Sequence, residues 1–221
     1  MAASDDSNSI PPEWLAEFEA AARRPLPLRM KYAFIKTYKP VMDDAKFRAF
    51  DTTAQYRQWC ELRIAALNRA LEGIPLEKSR YHICWGSWNG PHMFDVPLKD
   101  ILDIVLKVNV GAYSFEAANP RHEHEWQVWK SIKLAPGRAL MPGVVTHSTN
   151  IVEHPELVSE RLQRFASCIG PEHVIAGTDC GFSQSPLGAR VHRTIMWAKL
   201  KALAEGARLA SHVLWGHRSA A

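Results

Sequence analysis

The chain has 221 residues, 47% of them hydrophobic, which is enough for one folded domain with a substantial core. Its formal net charge is +4, from 27 Lys and Arg against 23 Asp and Glu, and the two signs are interspersed, so no nucleic-acid partner is indicated. No apolar run approaches the roughly 18 to 20 residues of a membrane span, and the N-terminus lacks the pattern of a signal peptide, so we expect a cytoplasmic protein without membrane contact.

The N-terminal region carries little regular pattern. Residues 1–10 are small and polar, which predicts a disordered tail. Residues 11–53 predict an irregular or helical segment, with a helix at 11–24 that begins at a proline and ends before Pro25. Regular periodicity begins at residue 54, and we assign 54–221 to the part that carries the site.

From residue 54 onward the pattern alternates between helices and short strands. The first helix is predicted at 54–71, with one apolar face made of Tyr56, Trp59, Leu62, Ile64 and Leu67. Strands are predicted at 81–84, 112–116, 140–145 and 173–177. Further helices are predicted near 97–108, 122–131, 155–169 and 189–214.

Alternating strands and helices predict an α/β fold with a parallel sheet, because parallel strands need long crossover connections. An open doubly wound sheet and a (β/α)8 TIM-type barrel are both compatible with this order. We favour the barrel, because each strand is followed by a chemically active residue, and barrels place their active sites at that end. A complete barrel takes about 250 residues, so we expect an incomplete one, covering the C-terminal βα units. Its open edges would be covered by the N-terminal segment or by a second chain, which makes a homo-oligomer possible.

Four residues at the strand ends form a candidate zinc site. His82 and Cys84 are two residues apart on one strand and therefore point to the same face. Glu116 closes the apolar run 112–115, and Cys180 lies in a turn after the fourth strand. Nitrogen, sulfur and carboxylate oxygen are the ligands that tetrahedral zinc takes in proteins. The alternatives are core residues for the first two, a helix-start carboxylate for Glu116 and an incidental loop thiol for Cys180.

Three other groups of residues are candidates for a functional or structural role. His147 follows the third strand and is a candidate for proton transfer, or a lone loop histidine. The run Arg121-His122-Glu123-His124-Glu125 also suggests a metal site, but its position at a helix start favours a solvated or capping role. Cys60 and Cys168 lie in amphipathic helical patterns and are expected to be buried structural thiols, not disulfide partners.

Several motifs resemble one known family. They are His82-x-Cys84, Ser114-Phe115-Glu116, Pro142-Gly143-Val144, Val152-Glu153-x-Pro155-Glu156 and Asp179-Cys180-Gly181-Phe182. Together they resemble the C-terminal catalytic barrel of cobalamin-independent methionine synthase. The longer strings that begin at Gly111 and Val174 are most similar to the short single-barrel relatives of that family, such as the epoxyalkane:coenzyme M transferases.

The resemblance implies zinc as cofactor, with His82, Cys84, Glu116 and Cys180 as its ligands and His147 beside the thiol substrate. In that family zinc binds the substrate thiol as a thiolate, and the sulfur attacks an alkyl carbon. The expected substrates are thus a small-molecule thiol, with homocysteine the leading acceptor, and a methyl or alkyl donor such as methyltetrahydrofolate. The alternative is a truncated zinc-binding relative that catalyses nothing and acts with a partner chain. Relationship to the metal-free uroporphyrinogen decarboxylase branch is disfavoured, because all four ligand positions are filled.

Overall fold

The computed structural model describes residues 52–86, 95–182 and 191–216. The chain divides into two compact units, one made of Met1–Cys60 and His92–Val96, the other of Glu61–Pro91 and Pro97–Ala221. All the strands described below belong to the second unit. The predicted tail at 1–10 and the predicted helix at 11–24 lie outside the described residues, as does nearly all of the segment 11–53.

The described elements alternate between helices and strands as the sequence predicts. In chain order they are α1 (Thr53–Ala70), β1 (Arg80–Ile83), α2 (Leu102–Val105), β2 (Ala112–Phe115), β3 (Ala139–Val145), α3 (Pro155–Ile169), β4 (Gly177–Thr178) and α4 (Arg193–Trp215). Short 3-10 segments lie at Leu76–Lys78, Leu98–Asp100, Glu123–Ser131 and Pro171–His173. Within the described residues, none of the helices combines the length and the apolar character that a membrane crossing requires.

The four strands form one parallel sheet in the order β1-β2-β3-β4. Ile83 pairs with Phe115, Phe115 pairs with Pro142, and Val145 pairs with Thr178. Because the strands are parallel and in chain order, their carboxyl ends all lie at one edge of the sheet. The predicted α/β parallel sheet is therefore confirmed. A closed barrel is not confirmed, because the described residues supply four strands where such a barrel has eight.

Two of the predicted crossover helices differ from the structure. The segment 97–108 contains a 3-10 turn and the single-turn helix α2, and 122–131 is a 3-10 helix of nine residues, Glu123–Ser131. After α2 ends at Val105, the Tyr113 hydroxyl donates to the carbonyl oxygens of Leu106 and Val108. The second segment contains Trp126, Val128 and Trp129, residue types that lose side-chain freedom in an α-helix.

The fourth strand is shorter and later than predicted. The predicted strand at 173–177 begins in a 3-10 turn, makes an isolated bridge between Val174 and Leu140, and becomes a strand only at Gly177–Thr178. Gly177 approaches Met141 and Pro142 of β3 so closely that a Cβ at this position would collide with the Met141 side chain. This segment therefore lies close against β3 but pairs with it irregularly, with a register shift between Gly143 and Val145.

The core of this unit lies between the sheet and the helices α3 and α4. Val144 and Val145 of β3 pack with Val158 and Leu162 of α3 and with Ala210 of α4. Gly206 lets the two helices approach closely, since a Cβ there would overlap the Val158 side chain. By contrast, the predicted apolar face of α1 is not one buried surface.

The exposure of two residues in α1 shows why the predicted single apolar face is wrong. Ile64 is buried, whereas Leu62 is 68% exposed. Two positions separated by two residues point to opposite sides of a helix, so both could not share one buried face.

Candidate metal centre

The four predicted zinc ligands all lie at the carboxyl edge of the sheet. His82 is in β1 and Cys84 directly follows it, Glu116 directly follows β2, and Cys180 comes two residues after β4. His82 and Cys84 are exposed, whereas Glu116 and Cys180 are buried. The strand ends thus supply a site that opens to solvent on the β1 side.

The Cys180 sulfur contacts all three of the other predicted ligands. Its Sγ is 3.2 Å from His82 Nε2, 3.4 Å from Cys84 Sγ and 3.5 Å from Glu116 Oε1. The donor atoms of His82, Cys84 and Cys180 all lie within 4.8 Å of one another. Zinc bonds of about 2.0 to 2.3 Å in a tetrahedron separate neighbouring ligand atoms by about 3.3 to 3.8 Å. The contacts of Cys180 match that separation closely.

The two thiols share one hydrogen bond, which separates their acidities. Because the Cys180 thiol donates to Cys84, the pKa of Cys84 falls well below its ordinary value, and the pKa of Cys180 is raised. The Gly86 N–H also donates to Cys84 Sγ at 3.2 Å. Cys84 is therefore the thiolate of the pair, and thiolate is the form that binds a metal.

Glu116 is an acid kept largely neutral by its surroundings. Burial raises its pKa to about 8, and the nearby Cys84 thiolate adds to this effect. Its Oε1 accepts from the Trp85 N–H at 3.2 Å, and its Oε2 accepts from the Asn119 side-chain amide at 2.8 Å. Both oxygens are thus held in place, and a bound cation would favour the ionised form.

The Asp179 side chain, next to Cys180, links the segment after β4 to the segment after β2 through hydrogen bonds. It is fully buried, and its Oδ1 accepts from the N–H groups of Ala117 and Ala118 at 2.8 Å each. Burial raises its pKa to about 6, and those hydrogen bonds limit the rise. The carboxylate fits because residue 143 is glycine, since a Cβ there would collide with Asp179.

The run Arg121 to Glu125 is more buried than predicted. His122 and Glu125 are buried and bonded to each other, with 2.8 Å between Nδ1 and Oε2, and Glu125 Oε1 accepts from the Leu98 N–H at 2.6 Å. The His122 ring stacks on Trp85 at 4.0 Å. The predicted solvated role is therefore wrong for this pair, because each partner satisfies the other's polar atoms away from water. Glu123 instead forms an ion pair with Arg161.

His147 is placed at the same edge by the strand order. It comes two residues after β3, which lies between β2 and β4, and it is buried. Just before it, the Thr146 N–H donates to Glu153 Oε1 at 2.8 Å. Glu153 Oε2 is 2.9 Å from Nζ of the fully buried Lys199 on α4. A buried ion pair therefore fixes the start of the loop that carries His147.

The sequence analysis predicted no role for Asn119, Asp179, Glu153 and Lys199, although Glu153 and Asp179 lie in motifs that carry the family resemblance. Their spacing along the chain carries no signal for the contacts, which cross from one strand end or helix to another. The available hints were Gly143, whose small size permits the approach of Asp179, and acidic residues next to apolar strand ends. Cys60 and Cys168 are free thiols, as expected, but they are half-buried and not buried. Cys168 donates to the Arg164 carbonyl oxygen within its own helix.

The chain is similar to known proteins both in sequence and in structure, and one example of each is described below. No family model matches the chain. Over 171 residues it is 23% identical to a 2-hydroxypropyl-CoM lyase of Xanthobacter autotrophicus, a match that covers 66% of this chain and 44% of the relative. A B12-independent methionine synthase from a Shewanella species, solved in complex with selenomethionine, superposes with a TM-score of 0.55 and 22% identity. That superposition covers 69% of this chain and 44% of the neighbour.

These similarities support the resemblance read from the motifs. The sequence match is weak, and the chain spans less than half the length of either protein. At such identity the structural match establishes the fold alone. The chain is thus similar in fold to B12-independent methionine synthase and, weakly in sequence, to 2-hydroxypropyl-CoM lyase, which confirms the resemblance to that family of enzymes.

Proposed function

We propose that the protein is a zinc-dependent transferase that moves a methyl or larger alkyl group onto the sulfur of a small thiol. The observation that carries this proposal is the position of Cys180 Sγ, within 3.5 Å of donor atoms from His82, Cys84 and Glu116. The similarity to two enzymes, a lyase and a methionine synthase, supports an enzymatic role. Homocysteine is the leading acceptor by resemblance, and a methylated folate is one possible donor.

The residues at this edge fit a zinc ion. One imidazole, two cysteines and one carboxylate form a donor set rich in sulfur, which favours zinc over magnesium or calcium. When bound there, zinc would supply a Lewis acid that lowers the pKa of a substrate thiol. His82 and Cys84, which are exposed, leave the centre open for that thiol.

The chain's own residues have separate roles in this proposal. Cys84, Cys180 and His82 would hold the metal, and Glu116 would add the oxygen that faces Cys180. A substrate thiol would then have to displace this carboxylate or bind as a fifth ligand. His147, which lies two residues after the end of β3, would carry the proton lost by the thiol towards the leaving group of the donor. Transfer forms a carbon–sulfur bond and breaks the bond between the alkyl carbon and its former carrier.

The experiment that tests the metal assignment is a zinc measurement on the purified full chain. We expect about one zinc per chain for the native protein, as a single tetrahedral site requires. Cys84→Ser and Cys180→Ser should each release most of it, because each removes a thiolate ligand. Cys168→Ser is the matched control, since that thiol bonds only within its helix in the contacts described above, and it should retain the zinc. Full zinc content in the Cys84→Ser, Cys180→Ser double variant would contradict the assignment.

A second candidate is a zinc-binding chain that is inactive until a partner chain joins it. The observation that favours it is the count of four described strands, together with coverage of 44% of each similar protein. Alkyl transfer to homocysteine and to simple thiols, assayed with the oligomeric mass of the same sample, separates the two. Turnover by the monomeric chain favours the first candidate. Zinc binding without turnover favours the second.

A further inference from the structure

The side-chain amide of Asn119 lies between two buried carboxylates. Its Nδ2 donates to Glu116 Oε2 at 2.8 Å and is 3.4 Å from Asp179 Oδ2. Its Oδ1 accepts from the N–H groups of Arg121 and His122 at 3.0 and 3.2 Å. Since Oδ1 faces two donors and Nδ2 faces two acceptors, the hydrogen-bond network allows one orientation of this amide.

This orientation decides which oxygen of Glu116 is available to a ligand. Oε2 is engaged by the Asn119 side chain, whereas Oε1 accepts from the Trp85 backbone N–H and lies 3.5 Å from Cys180 Sγ, on the side of the other predicted ligands. Asp179 contacts the same amide nitrogen of Asn119, and it accepts hydrogen bonds from two backbone N–H groups just after β2. Because Asp179 immediately precedes Cys180, the hydrogen bonds of this carboxylate also restrain the position of the Cys180 backbone.

We infer that Asn119 and Asp179 form a positioning pair that presets Glu116 and Cys180 for the metal, with Glu116 Oε1 as the ligating oxygen. The inference rests on the proposed zinc site. It assigns roles to two residues that touch neither the metal nor the substrate but orient groups that do. Residues of this kind commonly change metal affinity about 10- to 100-fold when they are substituted.

The test uses Asn119→Asp in the full chain. This change keeps the shape and the oxygen that accepts from Arg121 and His122, but places a carboxylate oxygen against Glu116 and Asp179. We expect the zinc dissociation constant, measured by competition with a chelator, to rise about 10- to 100-fold. The absorption bands of the Co²⁺-substituted protein should also shift, because they report ligand geometry and not fold stability.

Asn68→Asp is the matched control. The Asn68 amide donates to the Lys107 carbonyl oxygen at 2.8 Å and accepts from the Asn109 N–H at 2.7 Å, so it has the same mixed pattern away from the strand ends that carry the site. This control should lower the melting temperature and leave zinc affinity and the cobalt bands unchanged. A purely structural role for Asn119 would give the same result in both variants.

Asp179→Asn provides a second route if Asn119→Asp does not fold. It keeps one oxygen for the Ala117 and Ala118 N–H groups but turns an amide towards the Asn119 amide, so the two donors oppose each other. Weaker zinc binding is again expected. Native zinc affinity and cobalt bands in a folded variant of either residue would overturn the inference while leaving the proposed function intact. Failure of the native chain to bind zinc would overturn both, and the native titration distinguishes the two cases.

Discussion

Two buried polar clusters lie at the same edge of the sheet, and their carboxylates have different kinds of partner. In the ion-pair cluster, Glu153 bonds to the ammonium group of Lys199 at 2.9 Å and to the Thr146 N–H. In the carboxylate cluster, Glu116 and Asp179 bond to Asn119 and to backbone N–H groups. Within the described residues, no lysine or arginine forms an ion pair with either of these two carboxylates.

The difference indicates what each cluster does. The charge of a buried carboxylate that is paired with a lysine is balanced, and such a pair can hold a loop in place. Buried carboxylates without a cation resist ionisation, and burial raises the pKa of Glu116 to about 8 and that of Asp179 to about 6. A cation placed among them would relieve this cost. The carboxylate cluster is therefore the one whose ionised form a nearby cation would stabilise, whereas the ion-pair cluster already contains its cation.

The largest expected effect is on the ion-pair cluster. Lys199→Met should lower the free energy of unfolding by about 3 to 5 kcal/mol, because it leaves the Glu153 charge buried and unpaired. Urea unfolding of the metal-free chain measures it. Adding Glu153→Gln should recover part of the loss, since the neutral amide still accepts from Thr146.

Arg208→Gln is the control for that experiment. Arg208 pairs with Glu205 on the exposed surface of α4, where ion pairs contribute little, so no measurable change is expected. A Lys199→Met variant that is no less stable than the double variant would contradict the view that Glu153 depends on Lys199.

The next effect is on the carboxylate cluster. Gly143→Ala places a methyl group against Asp179, and overpacking of this kind typically costs about 1 to 3 kcal/mol. Displacement of Asp179 should also weaken zinc binding, so urea unfolding and zinc titration are both measured. Gly181→Ala is the matched control, because no described atom lies within 4 Å of its added Cβ. Equal behaviour of the two variants would show that the Gly143 contact is unimportant.

The last prediction concerns the pH dependence of the metal-free protein. The folded-state pKa of Glu116 is about 8, above its ordinary value of 4.5, so the folded chain binds the extra proton between these pH values. Stability from this group is therefore fully present below pH 4.5 and is lost as the pH rises through 8. Thermal unfolding across that range should show the decline, and Glu116→Gln should reduce it to the part that comes from Asp179, whose pKa is also raised. A decline of the same size in Glu116→Gln would assign it to other groups.

Much of the fold and of the site could be predicted from local patterns. Strand position follows from short apolar runs, and a parallel sheet follows from their alternation with helices, so the ends of β1, β2 and β3 were placed within one residue. His82 and Cys84 share a strand face because of their spacing alone. Once the strands are parallel, residues after their ends must share an edge, which is why Cys180 meets residues far away in the chain.

The tertiary structure decided what surrounds those residues. Whether a glutamate is solvated or buried depends on which distant groups reach it, as Glu125 shows by accepting the Leu98 N–H. The partners of Glu153 and Asp179 lie on other elements, and no period in the sequence encodes such a pairing. The sequence by itself determined which chemical groups stand at the ends of the strands, because strand geometry is local. Only the packed structure decided which carboxylates have a cation, because charge compensation is set by neighbours in space.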